Sequence, residues 1–152
     1  MITYRKGTIG ALTDEYEKAL NEFKTVIKSI SENDFLKTDE TETEDFKSIK
    51  SIVSHVIKSG YIYSNYVRKK FEQKKVIYEF DLINTEDVIL EIDKMFVDHN
   101  EVFQDKWMMS GNEMNKIIIV THWTTYDLEA LLEHAIVHIL RHRLQIQKKL
   151  MK

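Results

Sequence analysis

An all-α fold, a bundle of four helices, is what this sequence predicts, and three observations carry the prediction. The chain of 152 residues has no proline and only four glycines, so little in it interrupts a helix. Apolar residues recur at spacings of three and four along several long stretches, the period of a helix with one buried face. Near the C-terminus His134, His138 and His142 stand at four-residue intervals in a run free of Gly and Pro, which a helix would keep on nearly one side.

Composition sets further bounds. With 43% hydrophobic and 31% charged residues, the chain can build a sizeable core, and its length suits one domain spanning residues 1–152. A net charge of −3 gives no nucleic-acid footprint. There is no cysteine, so disulfides, thiolate ligands and a thiol nucleophile are excluded, and any metal site must use His, Asp or Glu. The segment Met1-Ile2-Thr3-Tyr4-Arg5-Lys6 lacks the apolar core of a signal peptide, and no run approaches a membrane span. A cytoplasmic protein that engages neither membrane nor nucleic acid is expected.

The first helix is predicted from Thr8 to about Asn33, with Ile9, Leu12, Tyr16, Leu20, Phe23, Ile27 and Ile30 on its buried face. The acidic, Thr-rich stretch 34–44 reads as a solvated loop. A second helix is predicted from about Asp45 to Gln73 on the stripe Ile49, Ile52, Val56, Tyr63 and Val67, with His55 at the stripe's edge. Its interior Gly60 costs about 1 kcal/mol relative to Ala and either allows a close helix contact or leaves room beside His55. The basic end, Arg68, Lys69, Lys70, Lys74 and Lys75, complements the helix C-terminus. Residues 76–83 form a connection. A third helix starts at Asn84 or Thr85, with Asn84 as cap, Asp87 in capping-box position and Ile83 and Val88 as a hydrophobic staple, and continues to Trp107. His99 on its stripe reads as a packing residue. Residues 110–115 are a polar break, and 117–120 a short extended segment too isolated to imply a sheet. The fourth helix follows Thr124, Thr125 or Asp127, each a competent cap, and runs to the C-terminus.

On that last helix the stripe passes through Leu128, Leu132, Ala135, Ile139, Ile146 and Leu150. Measured from Leu128, His142 lies about 40° off, His138 about 80° and His134 about 120°. His138 and His142 therefore border the buried face as the functional pair. His134 points further round, either supporting the pair from behind or simply exposed. Side chains on facing helices of a bundle build metal sites, and His55, His138 and His142 would supply three nitrogens with positions left open. Such a set suits Zn, Ni, Fe or Mn without choosing among them. Arg143 is a candidate for binding an anionic substrate group or pairing with a carboxylate, and Gln145 a candidate donor behind a ligand. A di-iron carboxylate site and a zincin site are disfavoured, because neither Glu-x-x-His nor His-Glu-x-x-His occurs. Tyr61, Tyr63, Tyr66 and Trp123 read as core or rim.

The ending His134-xxx-His138-xxx-His142-Arg143-x-Gln145 resembles the C-terminal signature of the DinB / YfiT-like superfamily of metalloproteins. Ser54-His55-Val56-Ile57 resembles that family's other histidine segment, and Trp123 with Tyr126-Asp127-Leu128 its entry to the last helix. The resemblance spans essentially the whole chain. It implies a four-helix bundle of up-down-down-up connectivity, metal ligands at His55, His138 and His142, and a homodimer. It also implies an activity such as thiol-dependent S-transfer, with a low-molecular-weight thiol as cofactor, while the same site with water as nucleophile would suit metal-dependent hydrolysis of a small-molecule substrate. The alternatives are a non-catalytic, stress-related metal binder and a helical interaction module without metal.

Overall fold

The structure, a computed structural model, describes residues 3–152, so Met1 and Ile2 of the segment read for a leader lie outside it. The described chain is mostly helical. Four long helices, α1 (Gly7–Lys28), α3 (Ile49–Lys70), α4 (Thr85–Val102) and α6 (Leu128–Leu150), carry the core. Between them lie two short helices, α2 (Glu32–Leu36) and α5 (Gly111–Lys116), and two strands, β1 (Ile118–Val120) and β2 (Thr125–Asp127). α1 packs on α4 and α6, and α3 packs on the same two, closing a ring around one apolar interior. No helix of the described residues is long and apolar enough to cross a membrane.

Local chemistry explains the boundaries, including those that depart from the sequence reading. The first helix stops at Lys28 rather than Asn33, because Ser31 accepts from the Asp34 amide and starts α2. Phe35, fully buried, anchors that helical turn with about 1.5–3 kcal/mol of burial. The second long helix begins at Ile49, not Asp45, since Ser48 caps the Ser51 amide. Asp45 and Phe46 thus belong to a loop, pinned by the Asp39 amide donating to the Lys47 carbonyl at 2.7 Å. At α4 the expected capping box between Asn84 and Asp87 is present. Of the staple, Val88 is buried but Ile83 is 66% exposed, and α4 ends at Val102 rather than reaching Trp107.

The polar break is a helix. Ser110 and Glu113 make a capping box on α5, which seats the buried Met114. The extended segment is not isolated either. β1 pairs antiparallel with β2, Ile119 opposite Tyr126, and Thr121 closes the turn by accepting and donating hydrogen bonds to Thr124. Period-two alternation buries Ile119 and exposes Ile118 and Val120. The hairpin was missed because its second strand lies in the polar stretch read as a helix lead-in. Asp127 then caps α6 through the Ala130 amide.

Contacts between helices fix how they sit. Tyr61 donates to Glu91 at 2.9 Å, and Arg68 grips Asp98 with Nη2–Oδ1 at 2.6 Å and Nη1–Oδ2 at 3.1 Å. Arg68, buried, is therefore held by a carboxylate across the α3/α4 seam rather than solvated at a helix end. A Cβ on Gly60 would collide with the Met95 sulfur, so that glycine serves the same seam. Thr13 of α1 meets His99 of α4 at 3.2 Å, and Lys24 pairs with Asp93 at 2.6 Å. Arg143 of α6 pairs with Glu22 of α1.

Candidate metal centre

Between α3 and α6 the wall of the ring opens into a cleft of about 1320 Å³. His55, His138 and His142 line it, with one ring nitrogen of each within 4.8 Å of the others. His138 is central: its Nε2 lies 3.1 Å from His55 Nε2 and 3.1 Å from His142 Nε2. Two imidazole nitrogens on one ion at about 2.0–2.1 Å sit about 3.0–3.4 Å apart, depending on the coordination angle. The two His138 spacings fall within that range, and the third pair, His55 and His142, lies within 4.8 Å.

The tautomers point the same way. His142 Nδ1 lies 2.7 Å from Gln145 Oε1, an acceptor, so that nitrogen carries the proton and Nε2 is left with a bare lone pair. Asp45 Oδ2 stands 3.9 Å from His55 Nδ1, beyond hydrogen-bond reach, and places a negative charge on that side of the ring. A single proton on His138 Nε2 can serve only one of its two close nitrogen neighbours. A cation would use every converging lone pair, which a proton cannot do.

Burial keeps the cluster neutral. Desolvation, then the charges of His142 and His55, depress His138 to about 3. Burial also lowers His142, against the opposing Gln145 hydrogen bond, and lowers His55, against the opposing charge of Asp45. Neutral imidazoles are the metal-binding form, so all three are competent at pH 7.

The sequence-predicted residues are distributed as follows. His55, His138 and His142 come together, and Gln145 bonds the back of His142. His134 is not in the cluster. It is half-buried on the cleft wall, its Nε2 3.2 Å from the Tyr63 hydroxyl and its ring centroid 6.0 Å from that of His138. Arg143 is turned to Glu22, and the arginine lining the cleft is Arg141. His99 lies elsewhere, buried against Thr13. Trp123 reaches the cleft rim from the hairpin turn, its Nε1 donating to Tyr126 at 2.9 Å.

Sequence reasoning missed two residues that shape the cluster from the 39–47 loop. Phe46 stacks on His142 with centroids 5.7 Å apart and meets His55 edge-on at 5.3 Å. Asp45 backs His55. The available signal was faint, a single aromatic ending an acidic run three residues before the α3 stripe. No protein-family model matches this sequence, and no curated protein matches it.

Proposed function

We propose that His55, His138 and His142 bind one divalent metal ion (Zn, Ni, Fe or Mn) and that the chain is a metal-dependent enzyme acting on a small molecule in the cleft. One observation carries this reading: three neutral imidazole nitrogens, from two helices, converge beside an open cleft. An ion held there would supply Lewis acidity and lower the pKa of a bound water or thiol. The chain's own residues do the rest. Gln145 orients His142 through its hydrogen bond, Asp45 adds negative charge beside His55, and Phe46 covers one side of the cluster. Burial pushes the Tyr63 hydroxyl up to about 12, so it stays protonated, and it shares a hydrogen bond with His134. That pair can hold a proton on the wall beside the open positions. If the reaction is thiol transfer, the sulfur comes from a low-molecular-weight thiol, since the chain has no cysteine. Hydrolysis uses the same site with water.

The proposed relationship is to the DinB / YfiT-like superfamily, with up-down-down-up connectivity. Its support is the order of contacts. Tyr61–Glu91 and Arg68–Asp98 rise together along α3 and α4, as parallel helices require. His55–His138 and Tyr63–His134 run in opposite senses along α3 and α6. Thr13–His99 and Lys24–Asp93 do the same along α1 and α4. Residues 71–84, extended to about 3.3 Å each, are long enough to return from the end of α3 to its start.

The test is metal content after purification without chelators, followed by turnover of thiol and electrophile or ester panels with and without metal. His138→Ala should abolish both metal retention and turnover while helicity stays. Turnover unaffected by that substitution would overturn the reading.

A further inference from the structure

The cleft differs in charge from the chain that forms it. The protein carries a net charge of −3, yet five Lys and Arg side chains line the cleft against two carboxylates. Both carboxylates have partners: Glu44 pairs with Lys47 at 2.8 Å, and Asp45 faces His55. Lys50, Lys58, Arg141 and Lys148 form no ion pair among the described residues. Unpaired cations facing one cavity repel one another, and a bound anion relieves that repulsion.

Two of the four are placed differently from the rest. Lys58 follows His55 by three residues, and Arg141 follows His138 by three. On a helix that offset puts a side chain on the same face, one turn along. The cations therefore flank the histidine cluster from its two walls, one from α3 and one from α6. Lys50 and Lys148 stand farther off, five and six residues from the nearest ligand. Three neutral imidazoles bring no charge to a dication, so the ligand set itself also leaves positive charge to be met from the cleft.

We infer that the substrate carries an anionic oxygen group, a carboxylate or a phosphate, held by Lys58 and Arg141 beside the histidine cluster. The inference rests on the metal reading for the adjacent reactive position, and on the two cations for the anion. Arginine offers two parallel donors to such a group, and lysine a compact charge. Arg141 thereby takes the anion-binding part that the sequence offered to Arg143, whose guanidinium is committed to Glu22.

The experiment titrates inorganic phosphate and acetate into the nickel-loaded and the metal-free full chain by calorimetry, with nickel affinity measured separately. Wild type is compared with Lys58→Met/Arg141→Met and with Lys50→Met/Lys148→Met, which removes the same charge from the rim. The expected result is at least a tenfold loss of anion affinity in the first variant and under threefold in the second, with nickel affinity undiminished in both. Arg141→Gln alone should give an intermediate loss and serves if the double variant folds poorly. Equal losses in the two double variants would mean a diffuse field, and no loss in either would mean an anion held by metal alone; each overturns the inference and leaves the metal reading intact. A chain that takes up none of nickel, zinc, iron and manganese yet binds the anions through Lys58 and Arg141 overturns the metal reading and retains the inference. Absence of anion binding with and without nickel overturns the inference.

Discussion

Two sides of this molecule bury histidine to the same depth and use it differently. His99, on the α1/α4 side, is 7% exposed, while His138 and His142, on the α3/α6 side, are 6% exposed. His99 has one polar partner, Thr13, and an aromatic surround of Tyr16, Phe96 and Phe103. The void beside it is about 10 Å³, at the margin of holding a single water. His138 instead has two imidazole nitrogens at 3.1 Å and a cleft of about 1320 Å³ in front of it. Burial alone therefore does not mark a site. What marks it is convergence of lone pairs beside open space.

The closed interior, at the α3/α4 seam beside His99, should break hardest. Asp98→Ala strands the buried Arg68 guanidinium, and removing one member of such a pair costs about 3–5 kcal/mol. A urea midpoint shifted to that extent, with metal affinity unaltered while the protein stays folded, would show that the two sides are energetically separate. On the open side the effects reverse. His138→Ala removes the ligand common to both close contacts and should weaken metal binding by more than about 100-fold, beyond the loss typical of outer partners. Its thermal midpoint without metal should shift little, since no packed apolar group is lost. Chelator competition and thermal scans measure the two quantities.

A finer probe is Gln145→Ala, which frees His142 to flip tautomer. Losing an outer partner of this kind lowers metal affinity by about 10–100-fold. Gln145→Glu should hold or raise the affinity, because a carboxylate accepts the same proton. If both variants match wild type, the Gln145 contact does not orient the ligand.

Near neutrality the smallest expected effect is that of pH. Burial depresses His99 to about 3, while in the unfolded chain it titrates near 6.5. Between those values the unfolded state binds a proton that the folded state refuses. Stability is therefore full above about pH 6.5 and falls as pH drops, by up to about 1.4 kcal/mol per unit for this one group. In metal-free protein, His99→Phe combined with Thr13→Val, which removes both hydrogen-bonding partners, should lower that slope by about one proton. An unchanged slope would assign the acid sensitivity to the cluster instead.

The comparison also shows what the sequence could reveal. Period and spacing exposed the four long helices, the edge position of His55 and the border positions of His138 and His142, because each depends only on local helical geometry. His99 was readable as packing for the same reason. The α2 and α5 turns and the β1/β2 hairpin were not visible, being too short for any period to emerge above the surrounding polar residues. Asp45 and Phe46 read from sequence as the start of the second helix. Their place over the cluster depends on Ser48 capping α3, which is local, and on Phe35 burying itself in the core, a tertiary event that no local pattern encodes. Arg141 and Arg143 are both cationic neighbours of His142. The three-residue offset of Arg141 from His138 is local and legible, whereas the pairing of Arg143 with Glu22, 121 residues away, is not.

The central claim is that imidazoles from α3 and α6 hold one ion together. X-ray absorption on the nickel- or zinc-loaded chain tests it most directly. One ion per chain with three imidazole nitrogens in its shell, falling to two in His55→Ala, is the predicted result. A wild-type shell that His55→Ala leaves unchanged would contradict it, because α3 would then contribute no ligand.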